Sequence, residues 1–135
     1  MSDYVFTYPI EVRFRDTDGL GHVNNAVYLT YFEAVRLAYG LHLIAGSRLE
    51  DVPFIMGEAT IRYLKPVFYA DQIVATARVG RIGTKSFIFE HAIRRGAEVV
   101  TTGSTTMVWY DYAAQQTLPI PDSFRARVAE VQGTA

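Results

Sequence analysis

The 135-residue chain contains no cysteine, and that single absence excludes disulfides, thiolate metal sites and a thiol nucleophile. It also leans toward a reducing, cytoplasmic setting. An excess of one charge is missing too. Thirteen Lys and Arg stand against 14 Asp and Glu, for a formal net charge of -1, so nothing draws the chain to nucleic acid or to an anionic membrane. No uncharged apolar run reaches membrane-spanning length, and the opening Met1-Ser-Asp-Tyr-Val5 has neither the basic nor the apolar stretch of a secretion signal. Repeats and low-complexity segments are absent as well. What is present is the volume for a core: nine Tyr, eight Phe, one Trp, and half of all residues apolar. The length suffices for one domain and not for two. Residues 1–135 therefore read as a single domain, with a core of about 9–110 and a tail of 111–135.

Periodicity gives the elements. Ile10, Val12 and Phe14 alternate with Glu11, Arg13 and Arg15, which predicts a strand with one buried side. Asp16-Thr-Asp-Gly19 follows as a turn-forming cluster. Asn24 and Asn25 then stand as N-caps before a long helix, Ala26 to Ile44. Its main polar positions, Thr30, Glu33 and Arg36, form one narrow stripe. The rest is apolar almost all round, so the helix is expected to be enclosed, with Gly46 as its stop signal. After Pro53 the period becomes two. Strands are predicted over Ile55–Phe68, Gln72–Ile82, Lys85–Arg94 and Glu98–Tyr110, and their short connections demand antiparallel neighbours. Pro66 belongs at an edge, a bulge or a strand end. A short helix is expected from Asp122 to Gln132, capped by Asp122 or Ser123. The class is α+β: a long antiparallel five-stranded sheet wrapped around one central helix. Long apolar edge strands would be covered by a second copy, giving a homodimer or homotetramer.

Asp16, Asp18 and His22 lie between a strand end and a helix start. A helix N-terminus offers free N–H groups and the positive end of the macrodipole, which can stabilise an oxyanion. A carboxylate nearby can attack a carbonyl or activate water. The ordinary role of Asp and Asn before a helix is capping, and a lone His in a turn is most often a hydrogen-bonded turn residue. Asp-x-Asp-Gly after a strand also marks the aspartyl-phosphate loop of haloacid-dehalogenase-type phosphatases, but those need a parallel sheet and a continuous apolar strand. Asp-x-Asp-x-x-x-His is a carboxylate/imidazole metal set, without the glycine and distal glutamate of a calcium loop. Pattern alone leaves the function open.

Arg-x-x-Asp-x-Asp-x-x-Gly-His-Val-Asn-Asn-x-x-Tyr-x-x-Tyr-x-x-x-x-Arg, from Arg13 to Arg36, resembles hotdog-fold thioesterases of the 4-hydroxybenzoyl-CoA thioesterase type. The similarity covers roughly Pro9 to Tyr110. His22-Val-Asn-Asn25 is also similar to plant acyl-carrier-protein thioesterases and bacterial long-chain acyl-CoA thioesterases. The resemblance implies a hotdog fold and hydrolysis of an acyl-CoA or acyl-carrier-protein thioester, with no cofactor, since coenzyme A is part of the substrate. It puts the catalytic carboxylate, as nucleophile or general base, on Asp18. The oxyanion donor falls on the backbone N–H of Asn25, and His22 matches the histidine of the carrier-protein branch.

Two departures put substrate specificity in doubt. The 4-hydroxybenzoyl branch reads Asp-Pro-Ala-Gly at Asp18-Gly-Leu-Gly21 and lacks the histidine, and the plant enzymes have asparagine at Leu20. Thr84-Lys-Ser-Phe87 matches a segment lining the coenzyme A channel, which makes Lys85 and Ser86 substrate-binding candidates, with Arg62 and Lys65 near the same mouth. Tyr28 and Tyr31 read mainly as core, with Tyr28 also lining the acyl pocket. Glu33 is the rival carboxylate, although its spacing suits an i,i+3 pair with Arg36. Two alternatives remain: a 3-hydroxyacyl thioester dehydratase, for which only His22 lies in the motif and not His42 or His91, and a non-catalytic acyl-thioester-binding module.

Overall fold

Alternation builds the sheet. Along β3 (Gln72–Ile82), β4 (Ser86–Arg95) and β5 (Glu98–Asp111), alternate side chains bury one face, among them Ala75 and Ala77, Phe87 and Phe89, and Thr105 and Met107. The computed structural model describes residues 4–133; Met1–Asp3 and Thr134–Ala135 of the single predicted domain lie outside the described residues. The strands are antiparallel in the order β1–β3–β4–β5–β2, with β1 (Phe6–Glu11) and β2 (Phe54–Tyr63) at the two edges. A two-residue β6 (Gln116–Thr117), not anticipated from the sequence, pairs with the end of β5.

The long helix α1 (Val27–Ile44) lies on the buried face, with Tyr28, Tyr31, Phe32, Val35, Tyr39 and Leu43 turned into the core. Phe32 stacks on the His91 ring, centroids 4.6 Å apart. Gly103 makes room for it: a Cβ there would sit 2.7 Å from the Phe32 ring and 2.5 Å from the Thr60 carbonyl oxygen. The tail helix α2 (Asp122–Gln132) packs Phe124 against Trp109 and Phe87. Its last residue, Gln132, ties the tail to the backbone of β3 at Val79. Gln132 Oε1 accepts from the Val79 N–H and the Tyr39 hydroxyl, both at 2.7 Å, and Nε2 donates to the Val79 oxygen at 3.0 Å.

The sheet wrapped around a central helix is as the sequence implied; several element ends are not. The first strand was expected to carry Ile10 through Arg15, yet it stops at Glu11, and Phe14 is 75% exposed in a 3₁₀ turn over Phe14–Asp16. The cause is Asp16, whose carboxylate accepts the Arg13 N–H and bends the chain. The strand expected to reach Phe68 ends at Tyr63, because the Leu64 and Lys65 N–H groups both turn to the Val100 oxygen. Neither asparagine caps α1 directly: the N-cap is Ala26, with no side-chain bond, and Asn24 Oδ1 accepts the Ala26 N–H one step earlier. At the other end Ala45, not Gly46, takes the left-handed turn (φ 54°), while the Gly46 N–H closes back onto the Leu41 oxygen. α2 is likewise capped by Pro121 and not by Asp122 or Ser123. Arg36, placed on the polar stripe by its spacing, is only 7% exposed.

His91 couples the stability of the core to pH. His91 Nδ1 lies 3.1 Å from the Thr76 oxygen and Nε2 lies 2.9 Å from Thr105 Oγ1. Burial pushes its pKa down to about 4, the Thr76 contact opposes that, and the charge of Arg36 adds to it. The unfolded imidazole titrates near 6.5 and takes up its proton first as the pH falls. The stability from keeping His91 neutral is thus complete above about 6.5 and is lost toward pH 4, amounting to roughly 3 kcal/mol at most. Urea midpoints measured from pH 7 to pH 5 are expected to fall, and His91→Gln is expected to flatten that fall. An undiminished slope in the variant would assign it to other groups.

Candidate active site

Between β1 and α1 the chain folds into a miniature hairpin. The Asn24 N–H donates to the Asp16 oxygen at 2.8 Å, Thr17 bridges to Val23, and the Asp18 N–H donates to the His22 oxygen at 2.8 Å. The tip turns at Gly21, whose φ of +86° favours glycine. Asp18 Oδ1 accepts the Leu20 N–H at 2.8 Å in an Asx turn. The returning arm is held to the segment after β2, with the Val23 N–H on the Val67 oxygen and His22 bridged to Phe68.

The two aspartates in this hairpin meet different surroundings. Asp16 is 3% exposed and accepts from the Arg13 N–H at 3.0 Å, the Tyr31 hydroxyl at 2.9 Å and the Arg13 guanidinium at 3.3 Å. Burial alone would push its pKa up, but these donors outweigh it and hold the carboxyl below the usual carboxylate value. Burial and the Asp16 carboxylate in turn push the Tyr31 hydroxyl up. Asp16 is therefore the tie between hairpin and helix. The Asp18 side chain is 25% exposed, and its Oδ2 stands 3.2 Å from His22 Nδ1. One oxygen serves the turn and the other faces the imidazole.

His22 lines a pocket of about 230 Å³ together with Asn25, Tyr28, Tyr63 and Lys65. The Asn25 N–H donates to no acceptor among the described residues, whereas its neighbours are fixed. The Ala26 N–H is held by Asn24 Oδ1 and the Val27 N–H by the Asn24 oxygen, each at 2.9 Å. The Tyr63 hydroxyl donates to the Asn25 oxygen at 2.7 Å. A free N–H at the start of an 18-residue helix is suited to receive a carbonyl oxygen or an anion. Sequence reasoning missed Tyr63. Its only signal was the alternation of β2, which puts Tyr63 and Ile61 on the helix side and Arg62 on the other.

The remaining candidates divide. Tyr28 is both core and pocket: it is buried, yet lines the pocket and meets the Tyr63 ring edge-on at 5.0 Å. Lys65 is neutralised by Glu98, which Arg95 also holds at 3.1 Å. Arg62 is exposed on the outer face of β2, away from Tyr63. Lys85 and Ser86 are not near Asp18 in one copy of the chain. They line a separate cavity of about 620 Å³ at the β3–β4 turn. Arg95, at the opposite end of β4, is the residue that reaches Asp71 and the Pro66 oxygen beside the hairpin. The length of β4, about 30 Å, separates the two groups. Glu33 Oε2 stands 3.7 Å from Arg36 Nη2, in the expected i,i+3 pairing. Among the described residues no three His, Asp or Glu are grouped to hold a metal ion, and no helix is long and apolar enough to cross a membrane.

A curled antiparallel sheet around one central helix is the hotdog fold. Residues 12–128 match the family model of the thioesterase-like superfamily, and the chain belongs to that family. The acyl-CoA thioesterase YbgC of Haemophilus influenzae is 24% identical over 130 residues, 93% of this chain and 96% of its own length. The long-chain acyl-CoA thioesterase FadM of Escherichia coli is 27% identical over 127 residues, covering 90% and 96%. Among solved structures, a thioesterase from Thermus thermophilus, complexed with coenzyme A and zinc, matches with a TM-score of 0.88 at 32% identity, covering 96% of this chain and 95% of that one.

The contrast between the aspartates is open to a stability measurement. Asp16→Asn turns one of two filled, buried carboxylate oxygens into an NH2 that cannot accept, removes the charge facing Arg13, and is expected to cost about 1–3 kcal/mol in urea denaturation. Asp18→Asn keeps the acceptor for the Leu20 N–H and is expected to change stability by less than about 0.5 kcal/mol. Equal losses would make both residues structural.

Proposed function

We propose that the chain hydrolyses an acyl-CoA thioester to the free acid and coenzyme A, using Asp18, His22 and the Asn25 N–H. The observation that carries this reading is the unpaired Asn25 N–H, clamped on either side by Asn24 and Tyr63, opening on a pocket that His22 shares. The thioester oxygen would accept from that N–H, and the helix dipole would favour the negative charge that develops on it. A water oxygen adds to the carbonyl carbon while its proton passes to a base. The C–S bond then breaks, and the thiolate takes up a proton as it leaves.

Asp18 serves either as that base or as the nucleophile, forming an anhydride that water cleaves. A second reading has its own support: His22, not Asp18, lines the pocket, and Asp18 stands 3.2 Å behind it. In that reading Asp18 orients the imidazole and His22 takes the proton. His91 offers no help to a dehydratase, because its partners are Thr76 and Thr105 and no carboxylate. Names of relatives favour coenzyme A over acyl-carrier protein as the carrier. No cofactor is required, and a cytoplasmic location accords with the cysteine-free composition.

The working unit in this proposal is a homodimer, with a tetramer as pairing of such dimers. Among the described residues β2 has a ten-residue edge without a neighbour, which is a template for pairing. Antiparallel pairing of two β2 edges about their middle sets the Tyr63 end of one beside the Phe54 end of the other. That brings the partner's Lys85 and the partner's Ser86 to the side of Asp18, where coenzyme A phosphates would meet a point charge.

The reading is tested with a panel of acyl-CoA thioesters and a thiol-detecting dye. Asp18→Asn is expected to lower kcat by about 100-fold or more. Equal thiol release by wild type and Asp18→Asn would sink the assignment, and no release from any thioester would favour a non-catalytic binder. His22→Gln separates the two roles: a loss as deep as that of Asp18→Asn, without further loss in the double variant, marks a pair acting as a unit. Tyr63→Phe is expected to reduce kcat by roughly 10-fold with little change in KM, because the Asn25 carbonyl is released and the backbone that follows the N–H is no longer held. A change confined to KM would assign Tyr63 to substrate binding instead.

A further inference from the structure

A third cavity lies against the middle of α1 and the start of β2, apart from the pockets at His22 and at Lys85. Its volume is about 630 Å³, within the range of small-molecule sites. Leu37, Val52, Phe54, Met56 and Met107 make most of its wall, and Arg36, Glu33 and Glu50 also border it. Arg36 is anomalous there. The residue is 7% exposed, and neither Nε nor Nη1 has a hydrogen-bond partner among the described residues. Its Nη2 stands 3.7 Å from Glu33 Oε2, beyond hydrogen-bond reach. A guanidinium keeps its charge when buried, so this cation carries the cost of unmatched donors inside an apolar wall.

We infer that this cavity is the acyl pocket and that Arg36 and Glu33 together recognise a hydroxyl carried on the acyl group away from the thioester. The inference rests on the thioester hydrolysis proposed above. A hydroxyl suits the pair because it both accepts and donates: it takes a hydrogen bond from Arg36 and gives one to Glu33. The 3.7 Å gap between Arg36 Nη2 and Glu33 Oε2 accommodates one oxygen at ordinary hydrogen-bond distance from both, while Nε and Nη1 stay buried without a partner among the described residues. A carboxylate fits less well, since Glu33 and Glu50 both border the cavity and would repel it; Glu50 is itself only loosely neutralised by Arg48, at 3.8 Å. The cavity sits at the Phe54 end of β2 and the Asn25 pocket at its Tyr63 end. Antiparallel β2 pairing sets the cavity of one copy beside the Asn25 N–H of the other, so one substrate spans both.

The test compares hexanoyl-, octanoyl- and decanoyl-CoA with their ω-hydroxy and ω-carboxy counterparts on wild type, Arg36→Met and Arg36→Lys. Wild type is expected to favour the hydroxylated over the plain chain by about tenfold or more in kcat/KM for at least one length. Arg36→Met is expected to bring that ratio close to one, and Arg36→Lys to restore part of it. Replacing a buried cation by an apolar side chain of similar length is expected to leave the fold intact, as a melting curve will show. The inference is overturned if no length shows the preference, if the ω-carboxy chain is preferred, or if the preference survives in Arg36→Met. Should no thioester be cleaved, the proposed hydrolysis fails on its own. The ratio of calorimetric Kd values for the same pairs, on wild type and Arg36→Met, then decides the role of Arg36.

Discussion

The buried carboxylate of Asp16 joins two parts of the chain that would otherwise be independent. The turn before α1 has few apolar contacts of its own, and its tip is exposed. Through the Tyr31 hydroxyl, Asp16 fastens that turn to the first turns of the helix, and through the Arg13 N–H it ends the approach from β1. Everything at the site follows from this tie. It fixes the hairpin axis, which sets Asp18 and His22 side by side, and it leaves the chain entering the helix with the Asn25 N–H unused. The helix can present that N–H because the sheet encloses its length and leaves its N-terminus uncovered.

Much of this was legible before any coordinates. β3 and α2 begin and end where periodicity placed them, and α1 differs by one residue. Alternation with short turns leaves little freedom in an antiparallel sheet. The ends that shifted did so where one polar side chain overrode the pattern. Phe14 continues the alternation of Ile10 and Val12, but Asp16 reaches back to Arg13 and turns it outward. Asn24 was recognised as a helix-start residue, yet which N–H it would hold depends on geometry that no sequence pattern records. Arg36 shows a different limit. Spacing by three put it with Thr30 and Glu33, but a helix wrapped by a sheet has too narrow a polar face for all three. Lys85 and Ser86 were chosen by likeness to a segment, and likeness does not say at which end of a sheet a segment falls.

The interior carries more polarity than a core of this size needs. His91, Thr76, Thr101 and Thr105 are all buried, and Arg36 lies close enough for its charge to be felt at His91. Burial keeps the imidazole neutral, so two cations never face each other beneath Phe32. That neutrality also removes His91 from acid–base chemistry near pH 7, because a group with a pKa of about 4 has no proton to give there. The polar seam is satisfied at His91, Thr76 and Thr105, while Thr101 Oγ1 and the Arg36 Nε and Nη1 find no partner among the described residues; of these two residues, Arg36 borders the cavity.

The same distinction separates Asp16 from Asp18, two residues apart in one turn. A carboxylate whose oxygens are already filled by an N–H, a hydroxyl and a guanidinium gains nothing by reacting, since attack or proton uptake would cost those bonds. Asp18 commits one oxygen to the Leu20 N–H and keeps the other beside an imidazole that reaches the pocket. It is held firmly enough to be aimed and is free enough to accept a proton or to hold His22 while the imidazole does so. Position in the motif made Asp18 a candidate; under the proposed hydrolysis, the hydrogen bonds it does not make are what would leave it an oxygen for the chemistry.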